Sequence, residues 1–319
     1  MMKTNNKFSR FSLVVLVLLS FITVLPLQRV TAEDTIKIGV LQTVEHEALD
    51  AVLKGFEETL KNSELADRVE INVQNASGDM ANLQSMSEKL ARENDLLFAI
   101  ATPAAQALAT VESTKPIFIA AVTDPVEAGL AESLEKPGRN VTGTTDMAPI
   151  AEQVALLLNN FPDVKTVGMI FNSSEINSVV LTDKATEEFE AKGVKVEVGT
   201  VTSTNDIAQV MGSLVEKVDA MFMVTDNTID SSISLVGDLA KQAGIPTIGS
   251  SDSVVQKNGL ATLSNSYEDY GIQTANMLIK LVSEDLKPAD MPIETADKLQ
   301  LIVNEEFAQA IGVDPDSIK

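Results

Sequence analysis

The chain has 319 residues, 45 % of them hydrophobic, which is ample apolar material for two ordinary cores. Its 24 Lys and Arg stand against 46 Asp and Glu, a formal charge of −22 at pH 7, and with no basic stripe this excludes nucleic-acid binding by counterion release. Cysteine is absent and His46 is the only histidine, which excludes disulfides, thiolate nucleophiles, Cys-ligated or multi-His metal sites and His-based triads.

The amino terminus reads as an export signal. Lys3, Lys7 and Arg10 precede an apolar run over 11–27, and Val30-Thr31-Ala32 supplies the small residues that signal peptidase requires before acidic Glu33-Asp34. Residues 1–32 are expected to be a signal peptide cleaved before Glu33. Retention as an anchor is the other outcome, for which an interrupted run of 17 residues is barely long enough.

From Thr35 a short apolar run, a polar turn and an amphipathic stretch alternate. Strands are expected at 36–41, 69–73, 96–100 and 116–121, with helices at 45–61, 79–92 and 103–112 between them. In the first helix Leu49, Val52, Leu53, Phe56 and Leu60 form one stripe. The strands are continuously apolar rather than alternating, so a parallel sheet covered on both faces is expected. The pattern restarts after Gly143: helix 150–160, strand 166–171, helix 176–192, strand 195–200, helix 207–218, strand 220–224, helix 231–243 and strand 246–249. Strand 261–264, helix 267–284, strand 299–303 and helix 305–311 close the chain. The fold class is therefore α/β, two Rossmann-like lobes with parallel sheets: residues 33–145 with 266–290 form the first, 146–265 with 291–319 the second. Three crossings near 144–149, 265–267 and 289–292 would form the hinge.

Ligands of open parallel sheets lie beyond the carboxyl ends of the strands, where helix N-termini offer unpaired N–H groups. The turns there carry Gln42, Thr43 and His46; Thr102-Pro103-Ala104; Thr123-Asp124; Asn172-Ser173-Ser174-Glu175; Asp226-Asn227; and Asp252. Short uncharged or acidic turns suit a zwitterion, with Asp226 pairing an ammonium and Ser173, Ser174 and Thr102 receiving a carboxylate. Ordinary helix capping explains any single one of these residues equally well. There is no glycine-rich phosphate loop, nucleophile elbow or paired-carboxylate signature, so no enzyme is expected, and no cofactor or metal.

At these turns the sequence also resembles a known family. Ile38-Gly39-Val40, Ala101-Thr102-Pro103-Ala104-Ala105-Gln106, Thr123-Asp124-Pro125-Val126-Glu127-Ala128-Gly129, Gly138-Arg139-Asn140-Val141-Thr142-Gly143, Phe171-Asn172-Ser173-Ser174-Glu175-Ile176-Asn177-Ser178 and Thr225-Asp226-Asn227-Thr228 are similar to the ABC-transporter substrate-binding family that includes tryptophan- and aromatic-amino-acid-binding members. The resemblance spans nearly all of 35–319. It implies the type 1 periplasmic-binding fold, an extracellular or periplasmic workplace, a membrane permease as partner and a small-molecule ligand, an aromatic amino acid such as tryptophan being the first choice. A monomer is expected. The chain departs from the pattern in lacking a lipid-attachment cysteine, which argues against a lipid tether. His46 and Phe118 are the nearest stacking partners by position. The alternatives are another amino acid, a sugar or a nucleoside, or a ligand-sensing domain feeding a membrane receptor.

Overall fold

The computed structural model describes residues 35–296 and 298–319; the expected signal peptide and its cleavage site lie outside them. Three βα steps and two further strands open the chain: β1 (Ile36–Gln42), α1 (Glu47–Lys61), β2 (Val69–Asn75), α2 (Met80–Glu93), β3 (Leu96–Ile100), α3 (Thr102–Val111), β4 (Ile117–Ala120) and β5 (Val141–Thr145). The second run holds α4 (Ile150–Asn160), β6 (Thr166–Asn172), α5 (Ile176–Ala191), β7 (Lys195–Val201), α6 (Ile207–Leu214), β8 (Ala220–Met223), α7 (Asn227–Asp230), α8 (Ile233–Ala243), β9 (Thr247–Gly249), α9 (Asp252–Asn258) and β10 (Ala261–Ser264). The tail is α10 (Tyr267–Glu284), β11 (Glu294–Thr295), β12 (Gln300–Val303) and α11 (Glu305–Ala310).

The strands form two six-stranded sheets of one order, β2-β1-β3-β4-β5-β11 and β7-β6-β8-β9-β10-β12. Every described pairing in the first is parallel, whereas β12 runs antiparallel to β10 in the second. This is the expected two-lobe α/β fold. Each first-sheet face is sealed by its own apolar layer: Val40, Phe56 and Phe98 on one side, Leu41, Leu97 and Leu108 on the other. Phe56 stacks on Phe98 with ring centroids 4.1 Å apart. In the second lobe Phe189 meets Phe222 edge-on at 5.2 Å.

Close helix packing returns α10 to the first lobe. A Cβ on Gly55 would lie 2.3 Å from the Glu268 carbonyl oxygen, and one on Gly271 2.0 Å from that of Val52. Only glycine lets the α1 and α10 backbones approach so nearly. The third crossing falls later than the sequence suggests. β11 pairs with β5, Glu294 beside Thr144 and Thr295 beside Thr145, so the chain stays with the first sheet through Thr295 rather than leaving at 289–292. Met291 and Ile293 are buried in first-lobe layers for the same reason, which moves the 290/291 lobe boundary beyond Thr295.

Candidate ligand cleft

A cleft of about 430 Å³ runs between the carboxyl ends of the two sheets. Thr43 and Val44 after β1, Ser77 after β2 and Pro103 after β3 line one wall; Asn172 and Glu175 after β6, Thr202 after β7 and Asn227 after β8 line the other. That volume suits a small ligand. The walls touch. Ile176, opening α5, packs against the first-lobe layer that holds Ala104 and Ala105, and Lys257 of α9 pairs with Glu47 of α1. Ala101, Ala121 and Ser250, each next after a strand, hold positive φ of 76°, 54° and 60°. Such strain in non-glycine residues persists only where surrounding structure enforces it, and it gathers at functional turns.

The first wall is neutral. Thr43 donates from Oγ1 to the Ile100 carbonyl (3.1 Å) and accepts the Ala104 N–H (3.2 Å), fixing the start of α3. Ala104 itself is buried and contributes only that N–H. Thr102, first residue of α3, is 2 % exposed, and its Oγ1 has no hydrogen-bond partner. His46 is also buried and neither ring nitrogen makes a well-formed hydrogen bond, though the Asn227 side chain stands beside it; neither His46 nor Thr102 is among the residues lining the cleft. Burial lowers the His46 pKa to about 4, although the Asn227 side chain and Glu47 favour the charged form. Gln42 braces the turn instead of facing the cleft, donating to the Val44 carbonyl and to Asp50. Phe118 is a core residue of β4 and Asp124 caps its own turn, so neither is brought to the cleft.

The second wall is acidic. Glu175 accepts from Asn227 N (3.1 Å) and Nδ2 (2.6 Å) and from Thr228 N (3.1 Å) and Oγ1 (2.8 Å). Asp226 is fully buried as the cap of α7: Oδ1 accepts Ile229 N–H (2.8 Å) and Oδ2 accepts Asn172 N–H (2.6 Å). Burial and the neighbouring Glu175 push it up to about 7. Asp230, one turn on, is raised well above its ordinary value by burial and by Asp226, and holds only the Ser250 hydroxyl at 3.0 and 3.1 Å. The sequence expectation for this wall therefore needs correction. Asp226 is a structural cap with both oxygens engaged. Ser173 and Ser174 are exposed, their N–H groups already given to Val201 O and Asn172 Oδ1, and α5 begins two residues later. Ser174 does line the cleft.

At the hinge, Asp146 joins the first two crossings: it accepts from Thr123 Oγ1 (3.1 Å) and from Tyr267 Oη (2.6 Å). Burial raises its pKa, against those two bonds. Thr123 therefore braces a crossing instead of lining the cleft, and half-buried Asp252 lies near the Tyr267 N–H at the second crossing. Sequence reasoning missed Asp146, Tyr267, Asp230 and Asn177. Asn177 stands inside a quoted motif, but nothing local marks its side chain as buried.

The profile of the ABC transporter substrate binding protein family matches residues 37–318. A tyrosine-binding protein of Clostridioides difficile is 37 % identical over 279 residues, 86 % of this chain and 81 % of its own length. A Streptococcus pneumoniae ABC domain solved in complex with L-Trp is 38 % identical and superposes with a TM-score of 0.85, covering 89 % of this chain and 97 % of that one. The ligand-free, open structure of a Clostridium difficile substrate-binding protein with adhesive properties, also 38 % identical, gives 0.66 over 88 % and 96 %. The chain belongs to the ABC transporter substrate-binding protein family and is a solute-binding protein, not an enzyme.

Proposed function

We propose that this protein captures an aromatic amino acid outside the cytoplasm, closes its lobes around it and presents it to an ABC permease. One observation carries the reading: Oγ1 of Thr102 is buried without a partner at the start of α3, and the His46 ring is buried beside Asn227 of the other lobe without a well-formed bond to it. A buried polar group left unpaired costs about 1–3 kcal/mol, so such groups at the strand ends call for a polar ligand group. Thr102 opens α3, whose N-terminal dipole favours an anion, and a ligand carboxylate fits that end. Val44, Met80, Leu83 and Pro103 supply an apolar wall for a ring. No aromatic side chain is among the described residues lining the cleft, so aliphatic packing takes the place of stacking. The relatives named for tyrosine and solved with L-Trp support the ligand class. The lobes lie closer to the arrangement of the L-Trp complex than to the open one at equal identity, which supports closure. The sequence of residues 1–32 supports export by a cleaved signal peptide, which amino-terminal sequencing of the protein from its producing cell checks.

Mass spectrometry of the small molecule released on denaturation, followed by calorimetry with L-tyrosine and L-tryptophan, tests the ligand. Release of a sugar or nucleoside, with neither amino acid bound, would overturn the assignment.

A further inference from the structure

We propose that Asn177 reads the ligand's ammonium: its Oδ1 accepts an ammonium hydrogen, and the carboxylates of Glu175, Asp226 and Asp230 supply the compensating charge. The inference rests on the amino-acid reading and assigns the amine to the second lobe.

Asn177 is 3 % exposed, yet its Oδ1 has no partner. Its Nδ2 is heavily used, donating to Thr225 O (3.1 Å), Ser178 Oγ (3.2 Å) and Glu175 Oε2 (3.5 Å). Those bonds fix the amide with its nitrogen toward the lobe and leave the oxygen unpaired. The side chain lies next to the seam: the preceding Ile176 packs on the first lobe, and Glu175, to which Asn177 donates, lines the cleft and is bonded to Asn227, beside His46. An unpaired buried oxygen demands a donor, and three buried acids demand that the donor be cationic. None of the three forms an ion pair among the described residues. Glu175 and Asp226 already hold five and two donors, so they act through their charge rather than by accepting a further hydrogen. Burial and mutual repulsion raise Asp226 and Asp230, and a cation beside them relieves that repulsion.

The test compares an amine with a hydroxyl at one position of one ligand. Calorimetry on the wild-type protein uses L-tyrosine, L-tryptophan and their α-hydroxy acids, 3-(4-hydroxyphenyl)lactate and indole-3-lactate. The amino acids should bind at least roughly thirty-fold more tightly. Asn177→Ala should lower amino-acid affinity at least about ten-fold and narrow that preference. Hydroxy acids bound as tightly as the amino acids would overturn the inference while leaving the aromatic reading standing. An Asn177→Ala protein that weakens amino and hydroxy acids equally would give Asn177 a structural role and also overturn it. Failure of all four compounds to bind would overturn the aromatic reading and this inference together.

Discussion

The two lobes repeat one strand order, yet the walls they bring to the cleft are chemically opposite. The first offers Thr43 among aliphatic side chains, with Thr102 and an uncharged His46 buried on the turns that follow β3 and β1. The second concentrates Glu175, Asp226 and Asp230 within one turn and a neighbouring helix end. The sheets set where the turns stand, and the turn residues alone set what those turns do. The walls also differ in how their polar atoms are occupied. In the first wall the Thr102 hydroxyl is left without a partner while Thr43 is fully bonded, whereas in the second the acids hold the lobe together and the Asn177 oxygen is unpaired. A substitution at Thr102 should therefore be felt in binding, and one at Asp226 in stability.

The largest effect is expected from Asp226→Ala. It strips the acceptor from two backbone N–H groups, Asn172 and Ile229, inside a fully buried turn. Loss of both bonds should destabilise the protein by roughly 3–5 kcal/mol, the removal of a strained buried charge offsetting part of the cost. Urea unfolding measures this. A variant that unfolds like the wild type and only binds more weakly would return Asp226 to a direct ligand role.

Acidification separates the walls by sign. His46 titrates near 4 in the folded protein against about 6.5 when unfolded, so the folded state binds fewer protons between those values. Its contribution is complete above about pH 6.5 and is lost as pH falls toward 4, by up to about 3 kcal/mol. Asp226, raised to about 7, does the reverse: the folded state binds more protons, so its term favours folding at low pH and is lost as pH rises through 7. His46→Gln removes only the first term. Its stability relative to wild type should climb steadily as pH is lowered from 6.5 to 4, followed by urea midpoints across that range. Parallel curves for the two proteins would mean that His46 is not buried neutral in solution.

How much of this was legible follows from where the partners lie. The run Thr-Val-Gly-Met-Ile-Phe announces β6, because apolar and β-branched residues need no distant partner to read as a buried strand. β5 reads Val-Thr-Gly-Thr-Thr and looks like a turn, yet all five residues are buried. Its hydroxyls are satisfied from far along the chain: Thr142 bonds the Met291 carbonyl (3.0 Å) and Thr144 meets Thr274 Oγ1 (3.0 Å). β11 has only two residues and exists because β5 offers it an edge. The cleft shows the same division. Which turns face it follows from strand ends and was readable. Which of Asp226, Ser173 and Asn177 keeps a free polar atom depends on bonds to Asn172, Val201 and Thr225, and no spacing rule reports those.

Thr102→Val should have a smaller effect. The hydroxyl makes no bond within the protein, so replacing it by a methyl should leave stability unchanged or improve it by about 1 kcal/mol. Affinity for the aromatic amino acid should fall about ten-fold, because the carboxylate loses one donor while the helix dipole remains. Calorimetry and urea unfolding on the same preparation give both numbers. Lost stability with intact affinity would place Thr102 among the structural residues, and the contrast between the walls would fail on its first side.

The weakest link between the walls is the ion pair of Lys257 with Glu47, and it should matter least. Both side chains are about two-fifths exposed, 41 % and 43 %. Water and salt therefore screen the attraction, and ordering two long side chains offsets much of what remains. The pair does join α9 to α1 across the cleft, so any contribution is made only when the lobes are together. Lys257→Ala should accordingly leave the unfolding midpoint almost unchanged and weaken ligand binding no more than about three-fold. That difference should shrink further as ionic strength rises from 0.01 to about 1 M, where the screening length falls to roughly 3 Å. Calorimetry at low and high salt on both proteins measures it. A ten-fold or larger loss that persists at high salt would show the seam to be held by its rim charges, and would move the determinant of closure away from the buried walls.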